Sequence, residues 1–164
     1  MFKDDLQLKG KWRVIVSEKP LTKEEIRLVR KGKKVEKVKE MKVYHNVITA
    51  YLKEKIAQGL AGESAVITDD VNLTHQQLGT GTTAPTENDT NLEIPDADTK
   101  KTISSKESNG KKCWITCIWI EGEATGTWKE FGLWIGSNLF NRVAIDVTVA
   151  ANEMLTIDGD LTIN

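Results

Sequence analysis

The sequence predicts a mainly β fold, with an antiparallel β-sandwich or barrel-like body that follows an N-terminal β-hairpin and one amphipathic helix. Three observations predict it. Short strand-like segments separated by turn residues fill the chain after about residue 98, only one segment has a helical period, and residues 68–110 are rich in Thr, Asn, Asp and Gly. The length of 164 residues suits one domain, or one domain with a modest additional module.

The N-terminal segment reads as β structure. Residues 6–16, LQLKGKWRVIV, alternate apolar and polar side chains and predict a half-buried strand. Residues 26–44 predict a hairpin around Lys31-Gly32-Lys33, because Gly32 can adopt a positive φ. The second arm, residues 33–44, also fits a helical spacing through Val35, Val38 and Met41, although a strand is favoured.

One helix is predicted at about residues 47–60. Its apolar residues recur with a 3.6-residue period: Val47, Ile48, Tyr51, Leu52, Ile56 and Leu60. Asn46 is expected to cap the amino end, and Gly59 and Gly62 are places where the helix can end.

Residues 68–110 predict mostly extended loop and turn. They contain the turn motif Gly79-Thr-Gly81, followed by Pro85 and Asp89. The Gly-x-Gly is not expected to bind phosphate, because no Lys-Ser/Thr follows it and no βαβ unit surrounds it.

The rest of the chain predicts five strands. They lie within residues 99–107, 111–121, 126–135, 138–149 and 152–164. The second is apolar on both faces, which predicts a central strand. The last is expected to be one long strand, with a tight hairpin at Asp158-Gly159 as the alternative.

The segment TWKEFGLWIGSNLFNR, residues 127–142, predicts a hairpin with a three-residue loop, Gly136-Ser137-Asn138. In that register one face is the core face, with Phe131, Leu133, Ile135, Leu139, Val143 and Ile145. The other face carries an unusual mixture of aromatic and charged residues: Trp128, Glu130, Gly132, Trp134, Phe140, Arg142 and Ala144.

Glu130 and Arg142 are predicted to form a structural clamp. Arg142 lies opposite Gly132, whose missing side chain leaves room for the guanidinium, and Glu130 is diagonal to Arg142. Trp128 and Trp134 are expected to flank the pair in a cation–π arrangement. Such a face is a poor surface for water, so we expect the N-terminal helix or a neighbouring subunit to cover it.

The charge distribution is uneven. Residues 1–66 carry 16 Lys and Arg against 9 Asp and Glu, whereas residues 67–164 carry 7 against 15. This predicts a basic N-terminal module (1–66) and an acidic body (67–164), or one continuous domain, with subunits that dock through complementary surfaces. Nucleic-acid binding is not favoured, because acids are interleaved with the lysines of the basic half.

The sequence offers little for catalysis. Arg142 cannot serve as a base, and no second acid or histidine falls beside Glu130 on its face. Cys113 and Cys117, roughly 13 Å apart along a strand, are expected to be buried free thiols, and His45 and His75 lack zinc-site spacing. We therefore expect no enzyme, no cofactor and no metal. No stretch predicts an export signal or a membrane span, so folding in a cytoplasm is expected.

Two segments resemble a group of tailed-bacteriophage virion proteins. LGTGTTAPTENDTNLE is followed about forty residues later by KEFGLWIGSNLFNR, which is similar to the Gly-Thr-Gly-Thr-Thr-x-Pro…Asp-Thr-x-Leu and Glu-x-Gly-Leu-Phe…Leu-Phe-x-Arg segments of that group. The N-terminal hairpin and the helix after Asn46 look similar too. The sequence departs from the pattern at Phe131, Trp134 and Ile135, which implies heavier aromatic packing.

The resemblance implies a non-enzymatic, homo-oligomeric structural component of a virion, in a tail appendage or baseplate and in contact with other virion proteins. A capsid-surface decoration protein is a close alternative. A further alternative is a carbohydrate-binding module that recognises a host-surface glycan, with some of the five tryptophans as a sugar-stacking platform.

Overall fold

The structure, a computed structural model, describes residues 8–61 and 71–163 of the chain. Leu6 and Gly62, to which the sequence assigns a strand start and a helix end, lie outside these residues, as do residues 68–70. The elements in chain order are β1 (Leu8–Ser17), α1 (Lys23–Arg30), β2 (Val38–His45), β3 (Val47–Ile48), α2 (Ala50–Leu60), β4 (His75–Gly79), a 3-10 turn (Ala97–Thr99), β5 (Lys101–Thr102), β6 (Ser105–Asn109), β7 (Lys112–Trp119), β8 (Gly126–Ile135), β9 (Asn138–Val149) and β10 (Met154–Ile163).

The strands form two antiparallel sheets of five strands each. Their orders are β2-β1-β10-β7-β6 and β3-β9-β8-β4-β5. The mainly β, antiparallel class that the sequence predicts is therefore confirmed, and the two sheets are consistent with the predicted β-sandwich.

The chain divides into two compact units that do not follow the predicted boundary at residue 66. Within the described residues, the first unit comprises 8–45, 104–126 and 149–163, and the second comprises 46–61, 71–103 and 127–148. The reason is strand pairing: β1 pairs along its whole length with β10, from Leu8↔Ile163 to Ser17↔Met154. The basic segment 1–66 and the acidic segment 67–164 are thus not separate modules.

In the first unit β1 is an internal strand between β2 and β10. From Trp12 to Ser17 both of its faces are buried, because Arg13 and Ile15 on one face are as inaccessible as Trp12, Val14 and Val16 on the other. The expectation of a half-buried strand is therefore wrong.

The predicted first arm of the N-terminal hairpin is a helix. Thr22 caps α1 through a reciprocal pair of hydrogen bonds: Thr22 Oγ1 accepts from Glu25 N (3.2 Å) and Glu25 Oε2 accepts from Thr22 N (2.8 Å). Ile26 and Val29 on its inner face are buried against the core of this unit. This capping box favours the helix over the predicted strand.

Gly32 does have a positive φ (+72°), but it ends α1 instead of turning a hairpin. Lys33 N donates to Leu28 O (2.9 Å) and Gly32 N donates to Val29 O (2.9 Å). This is the pattern of a Schellman motif, in which a glycine after the last turn satisfies the free carbonyls of a helix.

The other strands of this unit follow the sequence closely. The ambiguous second arm contains a strand, β2. As predicted, β7 is internal, between β10 and β6, and β10 is one continuous strand with Asp158 and Gly159 in its middle.

In the second unit the predicted helix is present as α2, and it begins at Ala50 instead of residue 47. Val47 and Ile48 form β3, which pairs with Arg142 and Asn141 of β9. Asn46 therefore precedes a strand and does not cap the helix.

Residues 71–110 contain one strand that the sequence does not predict, β4. It pairs with β8 from His75↔Trp134 to Gly79↔Glu130. The predicted strand within 99–107 is divided between β5 and β6. Gln76 and Gln77 of β4 are buried, so β4 is an internal strand although its sequence is polar.

The β8–β9 hairpin is present with both predicted strand ranges. Its turn consists of Gly136, with φ +57°, and Ser137. Asn138 already belongs to β9, so the turn is one residue shorter than predicted.

Candidate functional site

Glu130 on β8 and Arg142 on β9 are in direct contact, as the clamp prediction requires. Arg142 Nε donates to Glu130 Oε2 at 2.7 Å, and the side chains are only 1% (Glu130) and 4% (Arg142) exposed. A charged pair at this depth must satisfy its remaining hydrogen-bonding atoms within the protein.

Those remaining partners come from the segment between β4 and the 3-10 turn, which we call the 80–95 loop. Glu130 Oε1 accepts from the backbone N–H groups of Gly81 (3.1 Å) and Ile94 (2.8 Å), and Oε2 accepts from that of Glu93 (3.0 Å). With Arg142, the carboxylate accepts four hydrogen bonds. It therefore ties both ends of the loop to β8.

Arg142 ties the middle of the same loop to β9. Its Nη1 donates to Asp89 Oδ2 at 3.0 Å, and its Nη2 donates to Thr83 O at 3.1 Å and to Thr83 Oγ1 at 3.2 Å. Asp89 also accepts from Thr86 N (2.9 Å) and Thr86 Oγ1 (2.8 Å), which closes the turn from Thr86 to Asp89 directly after Pro85. The planar, five-donor guanidinium suits this role because it reaches several acceptors at once.

The two glycines of the turn motif are explained by the clamp. A Cβ at Gly79 would lie 2.5 Å from Glu130 Oε1, and one at Gly81 would lie 2.6 Å from the same oxygen. Both approaches are far inside van der Waals contact. The turn motif and the clamp therefore form one structure, although the sequence predicts them as two separate features. This structure contains Gly79, Gly81, Pro85, Asp89, Glu130 and Arg142.

Gly132 has a different role from the predicted one. A Cβ there would lie 2.8 Å from Leu92 Cδ2 and 3.1 Å from Leu139 Cδ1. The missing side chain thus makes room for Leu92 of the 80–95 loop, and it does not accommodate the guanidinium of Arg142.

The aromatic residues around the clamp are buried, with Trp128 and Trp134 each 5% exposed and Phe140 3% exposed. Trp134 packs with Leu92 and Leu139. The cation over its ring is Lys100 Nζ, 4.6 Å from the ring centroid, in place of the expected Arg142.

The 80–95 loop of the same chain therefore covers the clamp and Trp134. The expectation that the N-terminal helix or a second subunit covers this face is wrong for these residues. Ala144, also assigned to this face, is exposed.

Asp89 and Glu93, which both contact Arg142 from the 80–95 loop, have lowered pKa values. Burial raises the pKa of Asp89, but hydrogen bonds from Thr86 and Arg142 outweigh burial and hold this pKa below its ordinary value. Hydrogen bonds from the backbone and side chain of Thr83, with the nearby Arg142 charge, lower the pKa of Glu93 against a smaller effect of burial. Both acids therefore stabilise the fold most when they are ionised.

Acid should weaken the attachment of the loop. A carboxyl whose pKa is lower in the folded state stabilises the fold above its unfolded pKa, and this contribution disappears as the pH falls through the folded pKa. We expect the free energy of unfolding to decrease progressively below about pH 4, the ordinary range of Asp and Glu. Denaturant titrations at pH 7 and at several values down to about pH 2 measure this decrease.

The Asp89→Asn variant should show a shallower acid-dependent decrease than the parent, because the variant lacks one of the carboxyls responsible. If variant and parent lost stability with the same dependence on pH, the assignment of Asp89 would be contradicted.

A second buried charge network, in the first unit, is absent from the sequence predictions. Asp158 on β10 is completely buried and accepts from Arg30 Nη2 (2.7 Å), Arg30 Nε (3.0 Å to Oδ2) and Arg13 Nη1 (3.4 Å). Thr116 Oγ1 donates to the same carboxylate at 3.1 Å, and Arg13 Nη2 is also 2.7 Å from Asp160 Oδ2. The guanidinium of Arg30 lies 5.6 Å from the centroid of the Trp114 ring.

The two cysteines are free, as predicted, and Cys117 is completely buried whereas Cys113 is half-buried. Burial, together with the charge of Asp158, raises the pKa of Cys117 well above its ordinary value. Burial also raises the pKa of Cys113. Both thiols are therefore protonated near neutral pH, which disfavours nucleophilic chemistry.

The tryptophans are too deeply packed to form a sugar platform. Trp12 and Trp119 are completely buried and Trp114 is half-buried, in addition to the buried Trp128 and Trp134. A sugar-stacking platform needs exposed ring faces, so the packing of these tryptophans does not favour the form of the carbohydrate hypothesis that rests on them.

In the described part of the chain, no group of three or more His, Cys, Asp or Glu residues is placed to hold a metal ion. Within residues 8–61 and 71–163, no helix combines the length and apolar character that crossing a membrane requires.

No protein-family model, no curated protein and no solved structure matches the chain. The clamp and the 80–95 loop therefore have to be interpreted from their own geometry. The chemistry of the arrangement suits a structural role. The carboxylate of Glu130 accepts hydrogen bonds from four donors, and Arg142 stays protonated at any physiological pH.

Proposed function

We propose that the chain is a non-enzymatic structural subunit of a tailed-phage virion, which acts by self-assembly and by docking to other virion proteins in a tail appendage or baseplate. The observation that supports this most is the identity of the clamp partners. Gly79, Gly81 and Asp89 come from one of the two segments through which the sequence resembles phage virion proteins, and Glu130 and Arg142 come from the other. The resemblance thus concerns residues that interact with one another.

The chemistry of these residues favours a structural role over catalysis. The clamp fixes a long loop onto two strands, and its charges are engaged by that loop instead of facing an open cleft. Catalytic acids and bases need a proton-transfer partner within reach. A clamp suits a protein whose surface loops must keep one shape for assembly.

The end strand of the first sheet carries exposed apolar side chains, which suit the proposed self-assembly. Met41 and Val43 alternate on β2, and each is 44% exposed. Exposed apolar side chains on a terminal strand favour association with another chain. The opposite end strand, β6, has the polar sequence SKESN and lacks this feature.

Self-association should depend on this strand. We expect the purified parent to form an oligomer, and replacement of both Met41 and Val43 by lysine to shift it towards the mass of one chain, because charge repels copies at a shared apolar contact. Light scattering coupled to size-exclusion chromatography measures the mass. Ile120→Lys, at a residue that is 52% exposed after β7, is the control and should leave the mass unchanged. A parent that stays monomeric at high concentration would contradict self-assembly.

The alternative, a decoration protein on the capsid surface, uses the same fold and the same kind of surface. Electron microscopy of phage particles that lack the protein distinguishes the two locations. Missing tail-tip or baseplate density would support the tail assignment, and missing capsid protrusions would support decoration. Both locations would be contradicted if the particles that lack the protein showed neither defect and mass spectrometry found no copy of the protein in unmodified phage particles.

A further inference from the structure

A pocket of about 270 Å³ lies beside the clamp, in the second unit. Its walls come from the start of α2, the 80–95 loop and the start of β9. The polar residues that matter for recognition are Glu54, Asn88, Thr90 and Asn138, and Tyr51 contributes an aromatic wall. The volume is near the lower end of the roughly 300–1,000 Å³ typical of small-molecule sites, so it suits one compact ligand.

The polar groups of this pocket are available to a ligand. Across residues 8–61 and 71–163, the side chains of Glu54, Asn88, Thr90 and Asn138 form no hydrogen bond with the protein, and all four are exposed. Two amides, a hydroxyl and a carboxylate together provide several donors and acceptors. A ligand that presents many neighbouring hydroxyl groups, each both donor and acceptor, fits this combination.

The charged residues of the pocket disfavour an anionic ligand. Glu87 is paired with Lys53, and Asp89 is paired with Arg142 at 3.0 Å. Glu54 adds a negative charge to the wall, so a phosphate, sulfate or carboxylate would meet repulsion without a free cation lining the pocket. Tyr51 is half-buried, Lys55 Nζ lies 5.7 Å from the centroid of its ring, and the ring lines the pocket as an aromatic wall against which the apolar face of a sugar can pack.

The walls are held in place before any ligand arrives. Glu87 O accepts from Ala50 N at 2.8 Å, which joins the loop to the first turn of α2. Thr49 Oγ1 donates to Leu139 O at 2.7 Å, which joins that turn to β9. The Asp89 contacts with Arg142 and Thr86 fix the loop itself. Such preorganisation lowers the entropic cost of binding.

We infer that this pocket binds one uncharged sugar residue of a glycan. Asn88, Asn138 and Thr90 hydrogen-bond to its hydroxyl groups, Glu54 accepts from one of them, and Tyr51 packs against its ring. This inference does not depend on the proposed virion role, and it uses no tryptophan.

The test starts with the full chain on an array of neutral, sialylated, sulfated and phosphorylated glycans. We expect selective retention of neutral glycans. The simple methyl glycoside of the preferred terminal sugar is then titrated into ¹⁵N-labelled protein. Saturable shifts of the Asn88 and Asn138 side-chain amide signals are expected, with a Kd in the range of roughly 0.1–10 mM (about −5.5 to −2.7 kcal/mol), ordinary for a single small polar ligand.

The Asn88→Ala/Asn138→Ala variant should bind at least about tenfold more weakly, which corresponds to a loss of about 1.4 kcal/mol. Asn109→Ala, at an exposed amide at the end of β6, is the matched control and should bind as the parent does. Thermal melting of each variant separates loss of binding from loss of folding.

Three outcomes would overturn the inference. The first is that no neutral glycan is retained and that no amide signal shifts at about 10 mM sugar, where even a Kd near 10 mM gives half-saturation. The second is a preference for acidic glycans, and the third is full affinity in the double variant. The oligomer and particle experiments are unaffected by any of these outcomes, so failure of this site is distinguishable from failure of the proposed function.

Discussion

Replacement of Arg142 by alanine should lower the free energy of unfolding by about 3–5 kcal/mol, the usual cost of removing one partner from a buried ion pair. Glu130, 1% exposed, would keep its charge without the guanidinium 2.7 Å away. Asp89 and Thr83 would lose the same donor. Urea denaturation at pH 7, followed by tryptophan fluorescence, measures the change.

The matched control is Arg27→Ala. Arg27 forms a pair with Glu24 on the surface of α1, 3.6 Å apart with both side chains more than half exposed. Such pairs contribute about 0–1 kcal/mol, so this variant should unfold close to the parent. Arg142→Lys should recover only part of the loss, because an ammonium group cannot reach Glu130, Asp89 and Thr83 together.

The clamp prediction also has a local readout. Amide hydrogen exchange of residues 80–95 should become faster in Arg142→Ala than in the parent, since both the ends and the middle of the loop depend on the clamp. An Arg142→Ala protein with parental stability and parental protection of this loop would refute the structural role of the clamp.

The strands with clear periodicity were the most predictable part of the fold. The ranges of β8 and β9 coincide with those read from the sequence, and β7 and β10 differ at their ends only. Apolar alternation and turn residues at Gly136 determine these elements locally. The contact between Glu130 and Arg142 was also predicted, because the expected hairpin places both residues on adjacent strands.

Features that depend on distant contacts were not predictable. The glycines at 79 and 81 leave space for a carboxylate about fifty residues later in the chain, and Gly132 leaves space for Leu92. Nothing near these glycines in sequence identifies their neighbours. The buried strand β4 was missed because Gln76 and Gln77 lack any apolar alternation.

One error could have been avoided from the sequence. Thr22 and Glu25, three residues apart and directly before Ile26, are the signature of a capping box. The hairpin interpretation gave more weight to Gly32, which is equally suited to end a helix. Both features together favour α1.

Replacement of Asp158 by alanine should cost the fold about as much as loss of Arg142, again about 3–5 kcal/mol. Asp158 lies at full depth on β10, where it is the shared acceptor of Arg13, Arg30 and Thr116. The burial of Asp158 is not predictable from the sequence, because Asp158 alternates with Ile157 and Gly159 in a strand whose polar residues resemble a solvent-facing row. Removal of the Asp158 carboxylate would leave the largely buried guanidinium groups of Arg13 and Arg30 without the acceptor that they share.

The consequences for the two arginines differ. Arg13 keeps Asp160 at 2.7 Å, whereas Arg30 keeps longer contacts, with Thr116 Oγ1 at 3.4 Å and Glu107 at 4.0 Å, and the face of Trp114. Most of the loss should therefore come from Arg30, and a double-mutant cycle of Asp158→Ala with Arg30→Met tests this. The double variant should be more stable than the sum of the single effects predicts, since the methionine removes the unpaired charge.

Asp146→Ala is the control for Asp158→Ala. Asp146 contacts Lys129 at 2.7 Å on the surface, with the carboxylate 68% exposed, and its loss should cost no more than about 1 kcal/mol. Thermal and urea unfolding of the parent and of four variants, which are Asp158→Ala, Arg30→Met, their combination and Asp146→Ala, provide the cycle and its control. If Asp146→Ala and Asp158→Ala lowered the free energy of unfolding equally, burial would not strengthen the contribution of Asp158. Additive changes in the cycle would show that Asp158 and Arg30 contribute independently, because additivity is expected only of independent sites.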